Sequence, residues 1–250
     1  MTVETVVLIR TRNEEQWLGE VLVRIFRQTY RDFHIIIIDS GSTDRTLEIA
    51  RRFPVTVHTI DGRSFSYPYA LNYGMRHAAA ARYAVIMSAH SLPISDTWLA
   101  DGIETMKGHP NLAGIYGYLR PLPGSSFADQ IVMEIAYFWW RLRHPKRLAV
   151  VKKRGLGVLG FTNAIVRKDL RQQRPFNEEY GSGGEDTEWA DFFLRAGCRV
   201  MRDRKFTVLH SHNLGFLGWY RQLRHWLTTA RPGPFKSLSY RKDNAHRSGL

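Results

Sequence analysis

The sequence predicts an α/β fold with a mainly parallel central sheet flanked by helices, and three observations point to it. The apolar runs Val6–Ile9 and Ile35–Ile38 each stop abruptly in polar residues, and each precedes a helix-like segment. Buried parallel strands feeding helices leave this pattern. The alternation then continues through Val55–Ile60 and Tyr83–Met87, a βαβα rhythm that puts helices on both faces of one sheet. In open sheets of this kind ligands bind at the carboxyl ends of the strands. Thr11, Arg12, Asn13, Glu14 and Glu15 are therefore expected beside Asp39, Ser40, Ser42 and Asp44 on one rim.

In order, the first helix is expected over Glu14–Arg27, with Leu18, Val21, Leu22, Ile25 and Phe26 at helical spacing. Ser42-Thr43-Asp44 offers N-cap candidates for a helix over Arg45–Phe53, and Tyr69–Ala81 is Ala-rich and helical. Beyond residue 95 the rhythm loosens. A helix is expected over Trp98–Lys107, a strand over Leu112–Leu119, and a helix over Phe127–Leu142 whose Ile131, Ile135, Phe138 and Leu142 share one face. Arg141–Arg154 reads as a basic connection and Phe161–Val166 as a short strand. A Gly-rich loop, Asn177–Gly184, runs into a helix opening with Glu185-Asp186-Thr187-Glu188-Trp189. Strand pieces over Arg199–Val208 lead to His210-Ser211-His212-Asn213 and an aromatic, basic helix over Phe216–Thr229. The organisation expected is one domain over residues 1–230, a regular half to about 95 and an irregular acceptor-binding half after it. A loose basic tail follows over 231–250.

The 250 residues carry a net charge of +13, which suggests a polyanionic partner such as a phosphorylated substrate, an anionic membrane or nucleic acid. The charge is uneven: residues 141–154 hold seven Lys/Arg and no acid, and residues 199–250 hold eleven against Asp203 and Asp243. Cys198 stands alone, which excludes an internal disulfide framework and fits a reducing compartment. No apolar run reaches the length of a membrane span, and Val3–Ile9 is too short for a signal peptide. A cytoplasmic protein is expected, with peripheral contact on the inner face of the cell membrane as one use of the charge. Trp139, Trp140, Phe216, Trp219 and Trp226 are the candidate interfacial anchors.

Four segments, in order, resemble the family-2 glycosyltransferases, whose fold is the Rossmann-like GT-A nucleotide-sugar fold. They are Ile9-Arg-Thr-Arg-Asn-Glu14, Ile38-Asp-Ser-Gly-Ser-Thr-Asp44, Leu71-Asn-Tyr-Gly74 leading to Tyr83–His90, and Gly184-Glu-Asp-Thr-Glu-Trp189. The resemblance implies an inverting enzyme that moves a sugar from a nucleotide-sugar donor to a hydroxyl of a glycan or lipid-linked acceptor. Asp186 matches the family's catalytic base, and Glu185 would orient the base or the acceptor. Asp39 would hold the nucleotide base, with Thr11, Arg12, Asn13, Glu15 and Ser40 around the nucleoside, Arg63 toward the pyrophosphate and Ser88 also in the donor site. Trp189 offers a wall for a sugar face, with Glu188 beside it, although Glu188 also reads as an ordinary acid in a helix's first turn.

One segment departs from the family pattern. Where the family has Asp-x-Asp for a divalent cation, this sequence has Ser88-Ala89-His90. His90 and one of His210 and His212, taken as His212, are the expected metal ligands. Imidazole favours Mn²⁺ over Mg²⁺. Two alternatives fare worse on the residues. A nucleotidyltransferase would need a Gly-rich phosphate loop after the first strand, which Thr11–Glu14 is not. A nucleic-acid-binding module would carry a recognised motif, and none appears, so no nucleic-acid partner is expected.

Overall fold

A computed structural model of the chain describes residues 3–78, 81–151, 158–181 and 183–229. The tail expected over 231–250, and the part of the basic connection at 152–154, lie outside them. Strands β1 (Thr5–Thr11), β2 (Phe33–Asp39), β3 (Thr56–Thr59) and β4 (Tyr83–Ser88) pair in parallel in the order β3-β2-β1-β4. Their near-continuous apolar runs follow from burial on both faces. Val7, Ile9, Ile35 and Ile37 pack under α1 (Leu18–Phe26) and α4 (Trp98–Gly108). Val6, Leu8, Ile36 and Ile38 pack under α3 (Tyr67–His77) and α7 (Glu185–Arg195) on the opposite side.

Beyond β4 the sheet mixes direction. β9 (Asn163–Arg167) runs antiparallel between β4 and β6 (Leu112–Tyr116); β10 (Arg199–Asp203) is parallel to β6, and β8 (Leu148–Val150) closes the edge antiparallel. Among the described residues a second sheet joins β5 (Leu92–Pro93), β11 (Val208–Leu209) and β7 (Leu119–Arg120). The remaining helices are α2 (Thr46–Ala50), α5 (Phe127–Arg143), α6 (Lys168–Gln173) and α8 (Phe216–Thr229).

The departures from the expected elements have local causes. The strand expected over Leu112–Leu119 breaks at Gly117, and its two parts join different sheets. The helix expected over Arg45–Phe53 shortens to α2, because Asp44 turns its carboxylate onto the Thr46 N–H at 3.0 Å and the chain becomes helical only there. The α5 stripe at Ile135, Phe138 and Leu142 is exposed rather than packed. The face of α5 turned to the body carries Tyr137 and Trp140, whose rings meet Tyr118.

Gly117 allows the crossing of the two sheets. A Cβ there would lie 1.3 Å from the Phe206 carbonyl oxygen, an oxygen that also accepts from Asn163 Nδ2 at 2.6 Å. Gly117→Ala must push this backbone apart, at a cost of about 3 kcal/mol or more. We expect thermal unfolding to fall by roughly 6 °C or more for a chain of this size. Circular dichroism melting checks it, and an unchanged midpoint would show that the Phe206 segment can withdraw.

Candidate active site

The loops after β1 and β2 are stitched together by their own polar side chains. The Ser40 N–H donates to the Thr11 carbonyl at 3.0 Å, extending the β1–β2 ladder past its last pair. Asn13 takes a left-handed turn (φ 53°); its N–H donates to Ser42 Oγ at 2.9 Å, and its Oδ1 accepts from the Thr43 N–H at 2.8 Å. The Glu15 N–H donates to Asp44 at 3.1 Å, and the Glu15 carboxylate accepts from the Arg45 N–H at 3.0 Å. Asp39 is fully buried. Its Oδ2 accepts from the N–H groups of Gly41 (2.9 Å) and Ser42 (3.0 Å), and its Oδ1 accepts from the Ser42 hydroxyl. These residues meet on one rim, where Asp39, Ser40, Asn13 and Glu15 also hold the two loops together. The carboxylate expected to hold the nucleotide base has no exposed surface, and Ser40 Oγ turns back to Thr11 O. Arg12 stands exposed on the rim, and Arg63 is exposed and ion-paired with Asp61.

The second component is an acidic pair, with Glu185 buried and Asp186 half-buried. Gly183 and Gly184 adopt φ of 116° and 99°, values that favour glycine, and swing the chain into α7 so that its first turn opens with Glu185 and Asp186. Glu185 lies 3.8 Å from the guanidinium of Arg10, which is mostly shielded near the end of β1. Arg10 also donates to the Phe161 carbonyl at 3.2 Å and sits 4.8 Å from the centre of the Tyr67 ring. Asp186 accepts from its neighbour's Thr187 N–H at 2.6 Å and from the Phe161 N–H at 3.4 Å. Burial and the Asp186 charge push the Glu185 carboxyl up to about 8, with Arg10 opposing. Burial also raises Asp186, but the Thr187 and Phe161 amides hold it back. Two acids this close share one proton. The amides favour the charged form of Asp186, and burial favours the neutral form of Glu185.

The third component is a histidine cluster. One ring nitrogen each from His90, His210 and His212 lies within 4.8 Å of the others. The His90 Nδ1 bonds Glu14 Oε1 at 2.7 Å, and its Nε2 is buried with no hydrogen-bond partner. A carboxylate that fixes one ring nitrogen orients the other as a ligand. His210 Nδ1 meets Ser91 Oγ at 3.2 Å, and its Nε2 lies 3.2 Å from the Nε2 of His212. Two nitrogens bound to one ion at about 2.1 Å each sit roughly 3 Å apart. Burial and the neighbouring imidazoles push His210 well below the usual histidine range, so it stays neutral, as a ligand must. An orphaned Nε2, a carboxylate behind it and three converging imidazoles fit a transition-metal ion.

The Phe161–Thr162 segment joins these parts. Phe161 touches both Asp186 and Arg10, and the Thr162 carbonyl accepts from the Ser88 N–H (3.3 Å) and Ser91 Oγ (3.1 Å), at the end of β4 beside His90. The acidic pair and the histidines therefore share the rim closed by Thr11 and Asp39.

One expectation is corrected. Trp189 is fully buried; its indole donates to the Arg174 carbonyl at 2.9 Å and its ring packs against Phe176 and Phe193. It is a core residue, and no sugar reaches it. Glu188 is ion-paired with Arg174 through one carboxylate oxygen. The histidine set gains His210 beside the expected His90 and His212. Sequence reasoning missed Arg10, although a charged residue inside an otherwise apolar buried strand was the available signal. It also missed the turn of Glu14 toward His90, which has no local signature.

A family model described as glycosyl transferase family 2 matches residues 6–174. The O-antigen chain rhamnosyltransferase RfbN of Salmonella typhimurium is 24% identical over 210 residues, which are 82% of this chain and 66% of the relative. A 4,4'-diaponeurosporenoate glycosyltransferase of Staphylococcus aureus is 30% identical over 122 residues, 47% of this chain and 31% of the relative. The chain thus spans less than two thirds of the length of either relative. Among solved structures, the mannosyltransferase PcManGT of Pyrobaculum calidifontis, in complex with GDP-Man and Mn²⁺, superposes with a TM-score of 0.70 at 20% identity over 98% of this chain and 70% of that one.

The shared proton has a signature in stability. With Glu185 raised to about 8, the folded protein keeps a proton between pH 4.5 and 8 that the unfolded chain releases. That contribution is present at low pH and lost as pH climbs through this window. We expect the melting point of the native chain, relative to Glu185→Gln, to fall steadily from pH 5 to pH 8.5. A difference that does not change with pH would mean that Glu185 carries no such proton.

Proposed function

The chain belongs to glycosyl transferase family 2, and from that premise we propose that it transfers a sugar, with inversion, from a nucleoside-diphosphate donor to a hydroxyl of a glycan or lipid-linked glycan, with Asp186 as the base. The observation that carries this reading is the Glu185–Asp186 pair, held by Arg10 on the same rim as the histidine cluster.

The acceptor hydroxyl loses its proton to Asp186 as its oxygen bonds to the anomeric carbon and the bond from that carbon to the diphosphate oxygen breaks. One ionised carboxylate beside a neutral one suits this single displacement. A raised carboxylate is also the better proton acceptor near neutral pH. Arg10 keeps the pair from becoming fully neutral, and it anchors Phe161, whose N–H steadies Asp186. Arg12, exposed on the rim, is placed to meet the donor's phosphates together with Arg63, whose pairing with Asp61 lies at the surface and is readily exchanged. Asp39 acts through the loop it shapes, with Thr11, Asn13, Glu15 and Ser40 keeping that loop in place.

His90, His210 and His212 would hold a divalent cation, oriented by Glu14 and Ser91. When bound, such an ion offsets the negative charge that develops on the leaving diphosphate. Mg²⁺ is held by oxygen ligands, so an imidazole-rich set argues against it. Mn²⁺, the ion in the mannosyltransferase structure, is the assignment we adopt. Ser88 closes β4 beside this set and lines the donor side of the rim.

Two measurements test the reading. Purified protein offered UDP-, GDP-, dTDP- and CMP-sugars with Mn²⁺ should turn over one class of donor, and Asp186→Asn should lower that rate by on the order of 10²-fold or more while leaving donor binding within a few fold. An unchanged rate removes Asp186 from the base role. Separately, titration calorimetry should show His90→Ala weakening Mn²⁺ binding by about tenfold or more, with Glu14→Gln weakening it less. Zn²⁺ binding without Mn²⁺ binding would reassign the ion.

A further inference from the structure

The outer faces of α5 and α8 are apolar, aromatic and bordered by arginine, and we propose that together they dock on an anionic lipid bilayer. The docking stands on this surface alone and goes beyond the reaction proposed above. On α5, Phe127, Ile131, Ile135, Phe138 and Leu142 recur every three or four residues along one face, with Trp139 at its edge. Phe127 is 71% exposed, Phe138 58%, Trp139 52% and Leu142 61%. On α8, Phe216, Leu217, Tyr220, Leu223 and Leu227 are exposed in the same rhythm. A soluble surface rarely leaves so many large apolar side chains uncovered on two adjoining helices.

Charge selects the occupant. Arg141, Arg143 and Lys146 are exposed at the end of α5, and Arg221 and Arg224 are exposed on α8. The sequence of α8 contains no acid, and Glu134 of α5 is ion-paired with Arg120. A second copy of the chain would set these arginines against their like, whereas anionic headgroups complement them. Among the described residues no helix is long and apolar enough to cross a membrane, so the helices would lie in the interface, aromatic side chains inward and basic groups at headgroup level.

The platform is fastened to the active site. Asp129, buried in the first turn of α5, accepts from the N–H groups of Asn213 (2.8 Å) and Leu214 (3.2 Å) and from the Trp219 indole of α8 at 2.6 Å. The loop so held begins with His210 and His212. Docking would therefore bring the histidine rim close to the membrane surface, where a lipid-linked acceptor presents its sugar.

Co-sedimentation of the 250-residue chain with vesicles tests this. We expect binding to phosphatidylglycerol–phosphatidylcholine vesicles, none above background to pure phosphatidylcholine, and at least tenfold weaker binding in 0.5 M than in ~0.1 M salt. Phe138→Ser with Trp139→Ser and Leu142→Ser should weaken partitioning at least tenfold, and Arg221→Gln with Arg224→Gln should reduce the preference for anionic lipid. Both variants should keep the native melting point and native donor turnover, which separates a failure of docking from a failure of the sugar-transfer reading. Absence of native-chain binding to anionic vesicles, equal binding to neutral ones, or full binding by the triple variant would overturn the proposal. So would light scattering that shows a dimer dispersed by the triple variant, since a second copy would then cover the face.

Discussion

A guanidinium mostly shielded from water near the end of a strand is the constraint on which the site depends. Arg10 is the penultimate residue of β1, largely shielded from water, and its partners come from distant parts of the chain: the Phe161 carbonyl, the Glu185 carboxylate and the Tyr67 ring. Two adjacent acids shielded from water are costly unless a counter-charge and a shared proton relieve them. Arg10 provides the first, and the raised Glu185 provides the second. By gripping Phe161 it also positions Thr162, whose carbonyl holds Ser88 and Ser91, and Ser91 reaches His210. One cation thus links the acidic pair and the histidines into a connected network, so neither can shift without disturbing the other.

The loops after β1 and β2 show a different economy. Their acids and amides look like ligand-binding groups in sequence, yet most are consumed in holding one loop against the other. Asp39 accepts three hydrogen bonds from the two residues that follow Ser40, and Asn13, Glu15 and Asp44 fasten the β1 loop to the start of α2. A loop without such crosslinks would lose its shape to conformational entropy. The rim that remains open is shaped by the backbone and carries exposed Arg12.

How much of this was legible varied with the physics of each part. Buried parallel strands leave continuous apolar runs, so β1, β2 and β4 could be read directly, as could α8 with its own periodicity. The second sheet could not, because two-residue strands such as Leu92–Pro93 and Val208–Leu209 are too short to show a period. The break at Gly117 depends on the approach of Phe206, remote in sequence. Trp189 was misread although its position carried the answer. Residues 185, 189 and 193 recur every fourth position on one helix face, and Phe193 marks that face as core. The exposure of the α5 stripe was not legible, since helical periodicity reports that an apolar face exists and not what covers it.

The replacement of a metal-motif carboxylate by Ser88 carries a consequence for how a cation and donor would bind on the proposed reading. Three imidazoles are neutral ligands, so a divalent ion held by them keeps its full charge. Glu14, one ring away behind His90, offsets part of it. Such a site supplies less Coulomb attraction to its cation than one with carboxylates in direct contact. The donor's diphosphate would supply the missing negative charge. Each partner then strengthens the other's binding by the same factor, as linkage requires. The histidine set would in this way tie cation occupancy to the arrival of the donor, in a rim whose own acids are sequestered in the loops or paired beneath Arg10.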